Sequence, residues 1–153
     1  MEAKIATLDD IEALSSLLTE FFAYNAELQP GYCHAHRECG KYPKDIIESD
    51  NSDFLIVTEN DAVLGFIHIN QMKTLPFGSV VPHNYAEIMA FMVTASHRGH
   101  GVGAMLIEVA KQWSYSRNLD YIEAISLVNA ERANTFYDNK DFVTVSHIRR
   151  YTL

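Results

Sequence analysis

The feature that most constrains this chain is a long apolar segment that runs straight into a glycine-rich turn and then into a helix. Residues 87–94 are almost continuously apolar, which is typical of a central strand buried on both faces. Glycines occupy alternate positions at 99, 101 and 103, and a helical pattern then continues to about Arg117. The apolar positions of that helix are Val102, Met105, Leu106, Val109, Ala110 and Trp113. A buried strand that leads directly into an amphipathic helix predicts a sheet covered by helices, an α/β architecture.

The rest of the chain carries strand and helix patterns in a regular order. Strands are predicted at residues 5–7, 54–59, 62–70, 121–128 and 142–152, and further helices at 9–24, 44–49 and 129–139. Asn60-Asp61 is a turn signal that makes a hairpin of the second and third strands. No repeat, low-complexity tract or linker interrupts this order. The sequence therefore predicts a single domain, spanning residues 1–153, that is built on a mixed sheet.

The charge balance limits the partners that such a domain can bind. Twenty acidic residues against twelve basic ones give a net charge of −8, which argues against general binding to nucleic acids or anionic membranes. The chain shows no signal-peptide pattern, and no apolar run approaches the ~18 residues of a membrane span. Two cysteines provide no disulfide framework. We therefore expect a cytoplasmic protein that holds any anionic ligand locally, through backbone amides.

The glycine-rich turn is the candidate site for such an anion. Glycine allows a ligand to approach the backbone closely, and the free N–H groups and dipole of a helix start attract negative charge. A P-loop would have Lys-Ser/Thr after its last glycine, where this chain has Ala104-Met105. The dinucleotide fingerprint requires a different glycine spacing. Two interpretations remain, a turn that binds a diphosphate and a structural turn without a ligand.

Two motifs resemble the GNAT superfamily of acyl-CoA-dependent N-acetyltransferases. The segment Arg98-Gly99-His100-Gly101-Val102-Gly103 is similar to its Arg/Gln-x-x-Gly-x-Gly/Ala pyrophosphate loop, and residues 86–94 are similar to its fourth strand. Residues 133–142, Ala-Asn-Thr-Phe-Tyr-Asp-Asn-Lys-Asp-Phe, resemble its A-x-x-F-Y-x-x-x-G-F segment. The resemblance implies an α/β (α+β) fold with a mixed, mostly antiparallel central sheet flanked by helices.

Asp141 departs from the second motif, because the family has glycine at this position. That glycine commonly ends the helix in the left-handed conformation, which Asp tolerates less well than glycine but better than most residues do. We therefore expect a local adjustment and an intact fold.

The resemblance implies acetyl-CoA as the co-substrate, in a cleft where the fourth and fifth strands separate. Backbone groups of Phe91, Met92 and Val93 would pair with the pantetheine arm like an added strand. An N–H near Val93 would polarise the thioester carbonyl, as an oxyanion hole does. Asn134 would reach the cofactor from the next helix. The residues implied for the pyrophosphate are Arg98, Gly99, His100, Gly101, Val102, Gly103 and Ala104.

Transfer to an amine also needs a proton donor and a proton acceptor. Tyr137 matches the family tyrosine and is the candidate acid for the departing thiolate, with a pKa near its ordinary value of about 10. Glu87 is the candidate base, because burial in an apolar strand should raise its pKa. The alternatives are that Tyr137 only packs its helix on the sheet and that Glu87 is a solvated or paired charge. His68 on the neighbouring strand is the alternative base.

A segment with two cysteines and two histidines contains residue types that bind zinc. Cys33, His34, His36 and Cys39 match no standard zinc spacing, and no second pair of ligands follows. We therefore expect no metal here, and we assign the segment to a loop near the substrate.

The predicted function is an N-acetyltransferase that acts on a primary amine of a small molecule or peptide, by direct attack through a tetrahedral intermediate. The negative net charge favours a cationic amine. Residues 22–50 and 71–85 are expected to shape the acceptor site, but they carry no recognisable motif. The alternative is a non-catalytic module that binds or senses acyl-CoA. Because members of the family often dimerise, the resemblance also allows a homodimer.

Overall fold

The computed structural model describes all 153 residues and contains one five-stranded sheet flanked by helices. The strands are β1 (Glu2–Ile5), β2 (Ser52–Glu59), β3 (Ala62–Lys73), β4 (Asn84–Val93) and β5 (Ile122–Ala124). The helices are α1 (Ile11–Leu28), α2 (Lys41–Ile47), α3 (Val102–Ser116) and α4 (Glu131–Asp138). The strand order is β1-β2-β3-β4-β5, antiparallel except for the parallel pair β4–β5. The predicted mixed, mostly antiparallel sheet is confirmed.

Two apolar layers cover the two faces of the sheet. On one face Leu14 and Leu18 of α1 pack in a cluster with Phe54 and Phe66, and all four are fully buried. On the other face α3 contributes Leu106 and its helical neighbours to a second cluster. The apolar spacing of each helix therefore selects the face that it buries. None of the helices combines the length and the apolar character needed to cross a bilayer.

The hairpin of β2 and β3 turns at Asn60 and Asp61, as predicted. Their φ angles of 49° and 63° are those of a two-residue turn whose twist suits a hairpin. Residues 54–57 of β2 are fully buried, so β2 is the strand enclosed on both faces. The sequence predicted burial on both faces for residues 87–94, which lie in and just after β4. That prediction is wrong, because α1 packs mainly on β3 and α2 packs on β2. Burial alternates along β4, and Met89 is 41% exposed.

A bulge at Met89 divides β4 into two parts. The flanking residues Ile88 and Ala90 pair with consecutive residues of β3, which leaves Met89 without a partner. β5 pairs with β4 only as far as Ile88. Bulges bend a strand and can end its pairing. Residues 89–93 therefore have a free edge, and we call the space between this edge and the course of the chain after β5 the β4–β5 gap.

Some predicted elements differ from those in the structure. α2 begins at Lys41 although a helix is predicted at residues 44–49, and β5 is shorter than the predicted strand at 121–128. The strand predicted at residues 142–152 is wrong. Residues 143–153 have no helix or strand assignment, and all of them are exposed. Their residue types favour a strand, but no strand of this chain lies beside them to complete the hydrogen bonds.

Candidate active site

The free edge of β4 presents peptide groups to the β4–β5 gap. The N–H of Thr94 donates to the carbonyl oxygen of Leu64 on the β3 side, at 2.9 Å. Because peptide groups alternate in direction along an antiparallel strand, those of Phe91 and Val93 point the other way, into the gap. Those of Met92 point to β3. The structure thus differs from the prediction for Met92. Phe91 offers both of its peptide groups to the gap and Val93 offers its N–H, because the Val93 carbonyl accepts from Arg98.

The gap leads to the glycine-rich turn before α3. Gly99 and Gly101 have φ angles of 78° and 86°, and a Cβ added to either would meet no atom within 4 Å. The backbone conformation therefore favours glycine, and the open space lets a ligand approach the backbone. The N–H of Met105 donates to the carbonyl oxygen of Gly101 at 3.0 Å. The N–H groups of residues 102–104 precede this first helical bond, and they form the anion-attracting end of the helix.

Gly103 is needed for a different reason than the other two glycines. A Cβ at Gly103 would lie 3.0 Å from the ring of Phe136 on α4 and 3.2 Å from the ring of Phe91 on β4. Its small size therefore allows α3, α4 and β4 to meet behind the turn. The sequence motif does not distinguish this packing role from binding of a phosphate.

Arg98 links the turn to the free edge of β4. Its Nε donates to the carbonyl oxygen of Val93 at 3.0 Å, and its side chain is exposed. Its own carbonyl oxygen lies 2.9 Å from Nδ1 of His100. The guanidinium group is thus held at the mouth of the gap, where its charge can attract an anion.

Tyr137 lies on α4, at the side of the sheet that α3 covers. It is 7% exposed and belongs to the same apolar cluster as α3. Its ring centroid is 6.0 Å from that of Phe91 and 5.1 Å from that of Phe142. Burial raises the pKa of Tyr137 well above its ordinary value, which differs from the expectation of a pKa near 10. The phenol therefore keeps its proton throughout the physiological pH range.

The end of α4 shows the local adjustment that was expected at Asp141. This residue has a φ of 62°, in the left-handed region. The N–H of Phe142 donates to the carbonyl oxygen of Tyr137 at 3.1 Å, and that of Asp141 to Asp138 at 3.2 Å. These two bonds and the contact between Phe142 and Tyr137 form a Schellman end with an aspartate in the glycine position.

Glu87 lies on the opposite face of the sheet from Tyr137. It alternates with Ala86 and Ile88, which point into the cluster under α3. Its neighbour across the parallel pair is Glu123 of β5. Burial, and then repulsion from Glu123, raise the pKa of Glu87, in the predicted direction.

An aromatic pair lies beside these two carboxylates. Tyr85 of β4 and Tyr121 stack with their ring centroids 5.0 Å apart and their planes at 15°. The two tyrosines precede Glu87 and Glu123 by two residues, so all four side chains point to the same face. We call them the Tyr/Glu patch. Glu123 and the stacking of the two tyrosines were not predicted, although the alternation of Tyr and Glu at positions 121 and 123 was a sequence signal for them.

His68 is enclosed on the same face, under α2. Its Nδ1 is hydrogen bonded to the hydroxyl of Tyr42, and its ring packs against Phe54 with centroids 5.1 Å apart. Burial lowers the pKa of His68 to about 4. The imidazole is therefore neutral and a poor proton acceptor near pH 7, so the structure favours Glu87 over His68 as the base.

Asn134 is engaged within the chain. Its Oδ1 accepts a hydrogen bond from Ser126 at 2.6 Å, and its Nδ2 donates to the carbonyl oxygens of Leu127 and Val128 at 3.1 and 3.2 Å. These bonds order the loop that follows β5. A direct contact with the cofactor, as predicted, would require Asn134 to exchange some of them.

The Cys/His segment lies in the connection between α1 and α2. The ring of His36 packs against Phe22 with centroids 5.7 Å apart, Cys33 is half-buried and Cys39 is exposed. No group of three or more potential ligands is close enough to hold a metal ion. The contact of His36 with Phe22 shows that this segment packs against α1.

With this geometry established, comparison with known proteins assigns the chain to a family. The model of the acetyltransferase (GNAT) family matches residues 11–142. This chain belongs to that family. A streptothricin acetyltransferase from Escherichia coli is 36% identical over 90 residues, which are 58% of this chain and 48% of that protein. The match thus spans about half the length of the curated relative.

Solved structures share the fold at low sequence identity. A mutant of the BH1408 protein from Bacillus halodurans has a TM-score of 0.94 at 17% identity, covering 100% of this chain and 99% of that one. AAC(6')-Iy, solved in complex with the bisubstrate analogue CoA-S-monomethyl-acetylneamine, has a TM-score of 0.76 at 13% identity, with 99% and 97% covered. The fold is therefore the one found in acetyltransferases.

Proposed function

We propose that this chain is a single-domain enzyme that transfers an acetyl group from acetyl-CoA to a primary amine. The observation that carries this proposal is the continuity of the free β4 edge with the glycine-rich turn. The peptide groups of Phe91 and the N–H of Val93 have no strand partner. The Val93 carbonyl, which accepts from Arg98 Nε, connects them to the turn and the free N–H groups at the start of α3. A thioester on an amide-containing arm with a diphosphate at its other end has the chemistry to match both parts.

The chemical groups along the gap match those of acetyl-CoA, and they follow one another in the same order as the groups of that molecule. The amides of the pantetheine arm would pair with the carbonyl oxygen of Phe91 and the N–H of Val93 as an added strand does. The diphosphate would lie on the free N–H groups of residues 102–104 and beside Arg98, so that a chain with net charge −8 could still hold an anionic co-substrate. Because the diphosphate end would lie at the turn after Val93, the thioester would lie further back along β4. The N–H of Phe91, in place of that of Val93, would then polarise the thioester carbonyl and stabilise the negative charge that develops on its oxygen.

Glu87 and Tyr137 lie on opposite faces of the sheet, which supports separate roles for them as base and acid. Glu87 takes a proton from the ammonium form of the substrate, directly or through a water molecule, and the neutral amine attacks the thioester carbon. The C–N bond forms in a tetrahedral intermediate, and the C–S bond then breaks. Tyr137 gives its proton to the departing thiolate on the other face. Base and acid thus act from separate sides of the gap.

The Tyr/Glu patch supports a cationic acceptor. Two carboxylates attract ammonium groups, and the stacked rings of Tyr85 and Tyr121 provide faces on which cations and apolar groups can lie. The relatives named above act on streptothricin or bind an acetylated neamine, and both names denote amine-bearing small molecules. We therefore place small amines with more than one amino group first among the substrates, ahead of peptide amines.

A matched pair of variants at Gly99 tests where the co-substrate binds. Gly99→Asp places a carboxylate in the turn, whereas Gly99→Asn places a neutral side chain of the same shape there, and both residues tolerate positive φ better than most. Calorimetric titration with acetyl-CoA should show a much weaker affinity for the Asp variant than for the Asn variant. Equal affinities would contradict binding at the turn.

A second experiment separates an enzyme from a module that only senses acyl-CoA. The protein is incubated with acetyl-CoA and a panel of amines, and the release of free CoA thiol is followed. Release with amines that carry two or more amino groups supports the proposal. Binding of acetyl-CoA without release for any amine would indicate a sensor, and no binding at millimolar acetyl-CoA would remove both functions.

A further inference from the structure

The connection between β3 and β4, residues 74–83, carries large apolar side chains that the rest of the chain does not cover. Leu75, Phe77 and Val81 are each more than 60% exposed, and Val80 is 37% exposed. Apolar residues scattered singly over a surface are common, but these four lie together in one loop. An apolar surface concentrated in this way is typical of a binding site.

Hydrogen bonds give this loop a defined shape. At its base the N–H of Thr74 donates to the carbonyl oxygen of His83 at 3.1 Å, and the N–H of His83 donates to Thr74 Oγ1 at 2.9 Å. Nearer its tip the N–H of Val80 donates to the carbonyl oxygen of Phe77 at 2.9 Å. The apolar side chains are therefore carried by an ordered turn of the chain.

The loop surrounds an open cavity of about 510 Å³. This volume lies within the range of small-molecule sites, roughly 300–1,000 Å³. The cavity is bordered on one side by Lys73, whose charge disfavours a cation there. Its apolar lining consists of Leu75, Pro76, Phe77, Val80 and Pro82. An uncharged apolar group therefore suits this cavity better than an ammonium group does.

His83 connects the cavity to the Tyr/Glu patch. It lines the cavity, and its ring centroid lies 5.4 Å from that of Tyr121. Its Nδ1 lies 3.0 Å from Oδ2 of Asp120, and the same oxygen accepts a hydrogen bond from the N–H of Asn84 at 3.1 Å. These contacts hold His83 at the start of β4, so the cavity and the Tyr/Glu patch form one continuous surface.

The order of groups along β4 gives this surface a direction. In the proposed complex the diphosphate lies at the turn after Val93, and the thioester lies further back, at Phe91. Glu87 is further back again, and Asn84, which lines the cavity, precedes it by three residues. At the rise of a strand the cavity therefore begins about 10 Å beyond Glu87. An acceptor with its amino group at Glu87 extends away from acetyl-CoA and towards the cavity.

We propose that the cavity binds the apolar end of the acceptor, so that the preferred substrate is an amphipathic amine. The proposal rests on the acetyl transfer proposed above and defines the shape of its acceptor. Glu87 and Glu123 attract the amino end, and Lys73 keeps that end out of the cavity. The substrate therefore carries an alkyl chain or a ring about 10 Å from the amino group that is acetylated.

A series of linear primary amines, from n-butylamine to n-dodecylamine, tests the apolar site. Once the chain is long enough to reach the cavity, kcat/KM should rise about fourfold for each CH₂ group that is buried, and it should level off when the cavity is full. A kcat/KM that does not change with chain length would overturn the proposal.

Two adjacent valines provide a matched pair of variants. Val80 lines the cavity and Val81 does not. Val80→Ala should lower kcat/KM about fivefold for n-dodecylamine and leave n-butylamine unchanged, whereas Val81→Ala should leave both unchanged. Phe77→Ala removes a whole ring from the lining and should have a larger effect than Val80→Ala. Thermal unfolding of each variant checks that the fold is retained. Equal effects of the two valine changes would contradict the proposal.

The end group of the chain tests the chemistry of the cavity. With a carboxylate in place of the terminal methyl group, the same chain should be a poorer substrate, because the apolar lining does not replace the water around the charge. A preference for the carboxylate that is lost in Lys73→Ala would show that the cavity holds an anionic end, and the proposal would be wrong.

The same series separates failure of this proposal from failure of the proposed function. Acetylation of all the amines without dependence on chain length would overturn the apolar site and leave the acetyltransferase in place. If no amine is acetylated, the proposed function is wrong, and calorimetric titration with n-decylamine then tests the cavity alone. Binding that is weaker in Val80→Ala than in Val81→Ala would support an amine site there, and equal binding would overturn it.

Discussion

Two of the open strand edges of this sheet, one on β4 and one on β5, differ sharply in the residues around them. The inner edge, at residues 89–93 of β4, faces the β4–β5 gap and leads to the free N–H groups at the start of α3. The outer edge, on β5, is flanked by the carboxylates of Asp120 and Glu123. Both edges offer the same peptide donors and acceptors.

The contrast shows how neighbouring residues select the partner of an open edge. A positive helix end beside the inner edge favours an anionic molecule, which supports acetyl-CoA as its occupant. Negative side chains beside the outer edge disfavour an anionic ligand there. Changes at the inner edge should therefore alter catalysis and affinity for acetyl-CoA, whereas changes at the outer edge should not.

The largest expected effect at the inner edge comes from Tyr137→Phe. Loss of the proton donor should reduce turnover about 100-fold, the lower end of the range for general acid catalysis. Affinity for acetyl-CoA should stay within about twofold, because the phenol contributes a proton and not a binding contact. Steady-state kinetics and calorimetry on the same preparation provide both numbers. Unchanged turnover would assign protonation of the thiolate to another group or to solvent.

A smaller effect is expected from Glu87→Gln, about tenfold in kcat/KM near pH 6, because a half-exposed base can be replaced in part by water. The raised pKa of Glu87 means that its basic form is lost at a higher pH than for an ordinary glutamate. The acid limb of the kcat/KM profile should therefore lie above the ordinary value of about 4.3.

Glu123→Gln sharpens this test, because it removes the repulsion and keeps the base. The acid limb should then move to lower pH, whereas in Glu87→Gln activity should recover as rising pH neutralises the substrate amine. A pH profile that is the same in the wild type and both variants would contradict the role of Glu87.

Arg98→Ala should weaken binding of acetyl-CoA about fivefold, since an exposed cation contributes about 1 kcal/mol to holding an anion. The weakening should decrease at high salt, where the charge is screened. Arg117→Ala is a control that removes a cation far from the gap, where the guanidinium binds Asp53 at 3.1 Å. Calorimetric titrations at two salt concentrations measure both variants. An equal loss in both would indicate a general charge effect.

The smallest expected effect lies away from both edges, at Asp141→Gly. Glycine adopts the left-handed conformation without the steric cost of a Cβ, so this change should stabilise the protein by about 0.5–1 kcal/mol. Asn139→Gly is the matched control, because its φ of −72° gives glycine no advantage and the change should destabilise. Urea unfolding measures both. Destabilisation by Asp141→Gly would show that the aspartate side chain makes a contribution larger than the strain.

The sequence predicted the elements whose signals are local. The spacing of Leu14, Leu17 and Leu18 predicts α1, and Asn60-Asp61 predicts the hairpin, because helical periodicity and turn chemistry depend on neighbours in the chain. The strand predicted at 142–152 is wrong, because a pattern of residue types indicates strand propensity but not whether a partner strand is present.

The sequence predicted which segments form the candidate site, but not the direction of their peptide groups or the packing of their side chains. The motifs located the turn and Tyr137, and the raised pKa of Glu87 followed from its apolar surroundings. The direction of the Met92 peptide groups depends on the bulge, which no local pattern indicated. The raised pKa of Tyr137 and the position of Glu123 beside Glu87 depend on packing and strand register, which bring residues together across long stretches of chain.

The bulge at Met89 has a consequence for how proteins of this kind can diverge. Because Ile88 and Ala90 already pair with consecutive residues of β3, loss of Met89 alone would leave a regular strand with every remaining pair in register. It would also remove the bend at which β5 leaves β4, and pairing could then continue into the gap. A single-codon deletion could thus close the gap that we propose for acetyl-CoA while keeping the side chains of Glu87 and Tyr137. Homologous proteins that lack the residue at this point should therefore be assayed before they are assumed to be active.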